Sequence, residues 1–211
     1  MSVLEDISIA LQQGKAKQIK VLVPQALEEG LTASQILNEG LLAGMDIVGR
    51  RFKANEIFVP EVLVAARAMN TGTKLLKPYM GGEGTEPAGT VILGTVKGDL
   101  HDIGKNLVRM MLEGKGLTVI DLGVDVPTEK FIETAIENNC KVICLSALLT
   151  TTMPVMAEVI EAAKAAGIRD KVKFMVGGAP VTQAFCDSIG ADAYAADATS
   201  CADKAMELIN A

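Results

Sequence analysis

The sequence predicts an α/β protein: an N-terminal four-helix bundle followed by a flavodoxin-like (Rossmann-type) five-stranded parallel-sheet domain. Three observations carry this. Apolar residues recur at helical spacing up to Met80, and a glycine-rich stretch then ends all periodicity. Beyond it, short β-rich apolar runs alternate with amphipathic segments, as in a parallel sheet covered by helices on both faces.

The first helix is read from Val3, Ile7, Ile9 and Leu11, and the second from Ile19, Val21, Leu22 and Leu27. Ile36, Leu41, Met45 and Ile47 mark the third; Val62, Ala65, Met69, Leu75 and Leu76 mark the fourth. Gly14 and Gly30 stand where the first two should stop, Thr32 and Ser34 can cap the third, and Pro60 suits the first turn of the fourth. Pro24 is expected to kink or split the second helix. Between Met80 and Thr90 the chain reads GGEGTEPAG, with four glycines, one proline and two glutamates. This predicts a helical domain over 1–80, a linker over 81–89 and an α/β domain over 90–211. Strands are expected at Thr90–Val96, Leu117–Leu122, Val142–Leu145, Lys173–Val176 and Ala191–Ala195. Helices are expected near 104–114, 127–139, 153–166, 180–189 and 198–210. Five strands so connected favour the order 2-1-3-4-5, with ligands bound beyond the C-terminal strand ends.

Composition removes several function classes. The 211 residues are 49% hydrophobic and 22% charged, which places the chain among folded globular proteins. Twenty Lys and Arg against 26 Asp and Glu give a net charge of −6 with no basic run, so no nucleic acid is expected as partner. No stretch approaches the roughly 20 apolar residues of a membrane span, and the acidic N-terminus is unlike a signal peptide. A cytoplasmic protein with no membrane partner is the expectation. Cys140, Cys144, Cys186 and Cys201 form no C-x-x-C pair and read as buried, reduced thiols.

The loop after the first strand holds the chemistry: Lys97-Gly98-Asp99-Leu100-His101-Asp102-Ile103-Gly104, with the only histidine of the chain. A ligating histidine usually gives its second ring N–H to a carboxylate, and Asp99 or Asp102 could accept it. A zinc or iron site needs three or four protein ligands, and here there is one imidazole and no cysteine cluster. One imidazole suffices where a macrocycle supplies the equatorial ligands. Haem and corrinoids are the candidates. No C-x-x-C-H site for haem exists, and a loop over the strand ends of such a sheet is not where haem pockets usually lie. A cobalt corrinoid fits better. The third strand leads into Ser146-Ala147-Leu148-Leu149-Thr150 and the fourth into Gly177-Gly178-Ala179-Pro180. Alone, each is an ordinary cap or turn. Together they offer small residues that let a backbone approach a flat ligand.

Asp99-x-His101-x-x-Gly104, then Ser146-x-Leu148, then Gly177-Gly178 resembles the signature of cobalamin-binding domains of the methionine synthase and methyl-carrier class. The first 80 residues, with Phe58-Val59-Pro60-Glu61-Val62, resemble the helical cap of the same proteins. The free-standing corrinoid proteins of methanol, methylamine, betaine and aryl-ether methyltransferase systems are the most similar group. The resemblance implies cobalamin or a related corrinoid as cofactor, with its tail displaced from cobalt, threaded into the α/β domain and replaced by His101 as metal ligand. Asp99 would hydrogen-bond the other ring nitrogen, and Ser146 would extend the relay. Gly104, Leu148, Gly177, Gly178 and Ala179 would line the tail channel, with Thr150 a polar contact. Phe58, Val62 and Met69 are the candidates to cover the methyl-bearing face.

The resemblance further implies a methyl shuttle, in which the cofactor as methylcobalamin passes a methyl group between two partners. These are a substrate:corrinoid methyltransferase and a methylcorrinoid:acceptor methyltransferase dependent on coenzyme M or tetrahydrofolate, with a reductive activator protein as a further candidate. Asp99, His101 and Ser146 would tune the axial bond. Such a protein is the methyl-carrying component of a multi-subunit system. The alternatives are a subunit of an adenosylcobalamin mutase, whose radical-holding barrel this chain lacks, and a cobalamin-dependent sensor or regulator, for which the acidic first 80 residues supply no DNA-binding helix pair.

Overall fold

The computed structural model describes residues 2–80 and 88–211, which fall into two compact units, Met1–Pro87 and Ala88–Ala211. Most of the stretch expected as a linker, residues 81–87, lies outside the described residues.

The helical unit begins with α1 (Val3–Gln12), where the Ser2 hydroxyl and the Glu5 carboxylate cap each other's backbone amides. Next, α2 (Ala16–Glu28) runs through Pro24 without splitting. Proline lacks an N–H, so the Lys20 carbonyl loses its helical donor, but the buried side chains Ile19, Val23 and Ala26 keep both halves packed. The third helix is continuous from 33 to 53 but not uniform. It opens with α3 (Ala33–Gln35), widens to a π-helix over Ile36–Leu42 and returns to α4 (Ala43–Lys53). Thr32, and not Ser34, is its cap, accepting from the Gln35 amide at 3.2 Å. The fourth, α5 (Val59–Leu76), has Pro60 in its first turn, and Glu61 accepts the Phe58 amide at 3.0 Å. A short 3₁₀ turn, Lys77–Tyr79, follows.

The second unit alternates as expected: β1 (Thr90–Thr95), α6 (Ile103–Gly114), β2 (Thr118–Asp121), α7 (Thr128–Glu137), β3 (Val142–Ser146), α8 (Met153–Ala165), β4 (Lys173–Gly177), α9 (Gln183–Ser188), β5 (Ala193–Ala195) and α10 (Ala198–Asn210). All pairs are parallel, in the order β2-β1-β3-β4-β5. The flavodoxin-like expectation holds. The inner strands are unbroken apolar runs because helices cover both faces, whereas edge strand β2 is only half-buried. Gly94 near the end of β1 is explained by a helix: a Cβ there would stand 2.7 Å from the Phe131 ring of α7. All four cysteines are buried and free, as expected. No helix among the described residues is long and apolar enough to cross a membrane.

Register sets up the site. Thr95, Ser146, Gly177 and Ala195 stand abreast at the C-terminal edge of β1, β3, β4 and β5, so the loops leaving these strands emerge side by side.

Candidate functional site

The loop from Val96 to Asp102 crosses that edge. Asp99 is fully buried and His101 is about half exposed. Asp99 Oδ1 lies 2.9 Å from His101 Nδ1 and accepts the His101 amide at 3.1 Å. Its Oδ2 accepts the Leu148 amide at 2.7 Å, the Leu149 amide at 3.2 Å and the Thr152 hydroxyl at 2.9 Å. Burial alone would raise this carboxyl's pKa. The hydrogen bonds from Leu148, the His101 ring and amide, and Thr152 outweigh it and hold the group well below the usual carboxylate range. An ionised carboxylate only accepts, so Nδ1 carries the proton and Nε2 is left with its lone pair.

The loops that carry and flank this imidazole expose large apolar side chains. Leu100 and Ile103 are 72% and 75% exposed, and Leu148 and Leu149 are about two-fifths exposed. Large apolar side chains held open beside one unsaturated ligand nitrogen make a platform for a flat, mostly apolar group. No cluster of three or more His, Cys, Asp or Glu suited to a metal ion occurs among the described residues. The donor set therefore fits a metal that arrives with its own macrocycle. Gly104 adds room: a Cβ there would meet nothing within 4 Å.

Gly178 has a different reason. Its φ is +129°, and a Cβ would fall 1.8 Å from the Ala147 carbonyl oxygen, so this glycine is what lets the β3 and β4 exits close on each other. Gly177 sits between Ser146 and Ala195 in the sheet, and Ala179 is exposed just beyond. The structure thus brings His101, Asp99 and Leu148 into direct contact, with Gly104 opening the helix that follows His101. Ser146, Gly177, Gly178 and Ala179 line the neighbouring strand exits, and Thr150 is exposed in the β3–α8 loop.

Two readings are corrected. The hydroxyl that reaches Asp99 belongs to Thr152 and not to Ser146: Ser146 is still in the β3 ladder, its carbonyl taken by the Val96 amide at 3.0 Å. The chain must turn past Leu149 before a side chain can face Asp99. Of the three residues expected over the methyl-bearing face, Val62 and Met69 are buried and Phe58 is 64% exposed. A charged brace was also missed. Lys105, 3% exposed, places Nζ 2.6 Å from each Asp121 carboxylate oxygen and so ties the first turns of α6 to the end of β2.

The B12 binding domain family matches residues 89–203, and a second B12 binding domain model matches residues 3–77. The dimethylamine corrinoid protein of Methanosarcina barkeri is 47% identical over 208 residues, 98% of this chain and 97% of that protein. The chain belongs to the B12-binding corrinoid proteins. Its cofactor is therefore a cobalamin-type corrinoid, consistent with the one-ligand donor set. Trimethylamine corrinoid protein 1 of Methanosarcina acetivorans is 46% identical over 88% of this chain and 87% of its own length. Among solved structures, the methanol:cobalamin methyltransferase complex MtaBC of M. barkeri superposes with a TM-score of 0.89 at 31% identity, covering 99% of this chain and 80% of that one. A cobalamin-binding protein of Desulfitobacterium hafniense DCB-2 gives 0.82 at 30% identity, with 99% and 98% covered.

Proposed function

We propose that this corrinoid protein carries a methyl group between a methylamine-specific methyltransferase and a second methyltransferase that serves an acceptor. The observation that carries the proposal is the His101–Asp99 pair on an open, apolar-rimmed loop. The relatives named for dimethylamine and trimethylamine, at 47% and 46% identity, support a methylamine as the donor. When bound, the corrinoid supplies the cobalt on which the methyl group travels.

The protein's own part is to offer and withdraw one nitrogen. His101 Nε2 is the metal ligand, and Asp99 fixes the tautomer that exposes it. Thr152 and the Leu148 and Leu149 amides keep Asp99 ionised. Leu100 and Ile103 offer exposed apolar surface on either side of His101 along the chain. Gly104, Ser146, Leu148, Thr150, Gly177, Gly178 and Ala179 would border the tail of a bound corrinoid at the sheet edge. Residues 81–89 are the boundary between the cap and the cofactor domain.

The test is anaerobic reconstitution with hydroxocobalamin, desalting, and a visible spectrum beside His101→Ala. About one retained corrinoid per chain with an altered spectrum in the variant supports the reading. Loss of all colour from the wild type refutes it.

A further inference from the structure

The His101 loop is pinned at its start and at its end by two residues outside the family motif. Thr95, the last residue of β1 and fully buried, donates its hydroxyl to the His101 carbonyl at 2.8 Å. Asp125, in the β2–α7 turn, accepts the Gly98 amide on its carboxylate at 2.7 Å and donates its own amide to the Asp99 carbonyl at 2.9 Å. Asp125 adopts φ +53°, a left-handed conformation unusual for a residue with a side chain, though aspartate is among the residues that tolerate it. The turn that holds this conformation is itself locked to β1, since the Thr95 amide donates to Gly123 and the Val126 amide to Thr95. The Gly98 N–H and the Asp99 and His101 carbonyls are thereby held by neighbours on β1 and the β2–α7 turn, while the Asp99 carboxylate is fixed separately from the β3–α8 loop.

We propose that Thr95 and Asp125 are positioning residues that set the height and direction of the His101 imidazole before any corrinoid arrives. This rests on His101 being the metal ligand. A buried hydroxyl donor to the ligand's own carbonyl stops the ring from sinking toward the sheet or tilting from its axis. The Asp125 bridge stops Lys97–Asp99 from swinging out and taking the Asp99 backbone with it.

The experiment uses the full chain and two conservative pairs. Thr95→Val keeps the β-branched shape and loses the donor; Thr95→Ser keeps the donor. Asp125→Gly keeps the left-handed turn and loses the acceptor; Asp125→Asn keeps the acceptor. The first readout needs no cofactor: the ¹⁵N shifts of the single histidine report what fraction holds its proton on Nδ1. The second is the dissociation constant for hydroxocobalamin. Thr95→Val and Asp125→Gly are expected to lower the Nδ1–H fraction and to weaken binding about tenfold, the low end for outer partners of a ligand. Thr95→Ser and Asp125→Asn should match the wild type in both. Wild-type values in Thr95→Val and Asp125→Gly, or losses as large in the two conservative variants, overturn the proposal. Should a variant fail to fold, amide exchange in the wild type decides: protected Gly98 supports the bridge, and exchange at open-loop rates overturns it. Failure of the ligand assignment itself reads differently, as a corrinoid spectrum unaltered by His101→Ala.

Discussion

Replacing Asp99 with asparagine exchanges one carboxylate oxygen for an amide nitrogen and should move the imidazole proton from Nδ1 to Nε2. Three donors converge on Asp99 Oδ2, from Leu148, Leu149 and Thr152, and two on Oδ1, both from His101. Asparagine has one acceptor oxygen, which must stay where the three donors are. Its NH₂ then faces the His101 amide and Nδ1. The ring answers by shifting its proton to Nε2, so that Nδ1 accepts. The His101 amide has no such remedy and loses its partner, costing about 1–3 kcal/mol, and three bonds lose their charge assistance at roughly 0.5–1 kcal/mol each. A total of about 2.5–6 kcal/mol is large against the stability of most domains, about 5–15 kcal/mol. The functional result is a nitrogen that carries a proton where it should carry a lone pair. Corrinoid affinity through His101 should fall about 10–100-fold. ¹⁵N NMR of the apoprotein shows the tautomer, and titration with hydroxocobalamin shows the affinity. A folded Asp99→Asn variant that keeps its proton on Nδ1 and binds as the wild type would refute the reasoning.

Other expectations follow from the same geometry. His101→Ala should impair methyl transfer between the two partners more than it lowers corrinoid retention, read by quantified corrinoid and by transfer from dimethylamine. Gly104→Ala should raise apoprotein stability by about 0.5–1 kcal/mol, since a Cβ there meets nothing and alanine suits a helix, while lowering corrinoid affinity; thermal melts and titration separate the two effects. Gly178→Ala combines a positive φ with a Cβ 1.8 Å from a backbone oxygen and should cost on the order of 3 kcal/mol or more, measured by urea unfolding. Asp99 and Asp121 are both lowered in the folded state: burial works to raise each, but the Leu148 amide and His101 at Asp99, and Lys105 at Asp121, prevail. A carboxyl lowered by folding stabilises above its unfolded pKa, near 4, and this is lost as pH falls through the folded value. Stability of the α/β unit should therefore be flat in their account at neutral pH and drop steeply below about pH 4, with a shallower acid limb in Asp99→Asn.

The sheet was legible because each inner strand is an unbroken apolar run bounded by polar turns, and because strands alternate with helices long enough for crossovers. The site was legible only in part. His101 and Asp99 stand two residues apart, and their contact follows from local spacing. Thr152 was not legible: Thr150, Thr151 and Thr152 are indistinguishable along the chain, and only the turn after β3 decides which hydroxyl faces Asp99. Asp125 reaches Gly98 from the loop after β2 to the loop after β1, and Asp121 at the end of β2 reaches Lys105 on α6, so no local pattern announces them. Leu100 and Ile103 carry no local sign of their exposure, being apolar residues that stand 72% and 75% open on the surface. The π-helix did leave a trace. Ile36 and Leu41, both buried, are five residues apart, which is the spacing of that wider turn.

The central claim is that His101 supplies the protein ligand to cobalt through Nε2. Electron paramagnetic resonance of the reconstituted protein, reduced to its paramagnetic cobalt(II) form and compared with and without ¹⁵N-labelled histidine, addresses it directly. One coordinated ¹⁴N splits each cobalt line into a triplet and one ¹⁵N into a doublet, and the chain has a single histidine to label. Conversion of triplets to doublets on labelling is the predicted result. Triplets that persist would assign the ligand to the cofactor's own base, and lines without nitrogen splitting would leave cobalt without a nitrogen ligand; either would contradict the account.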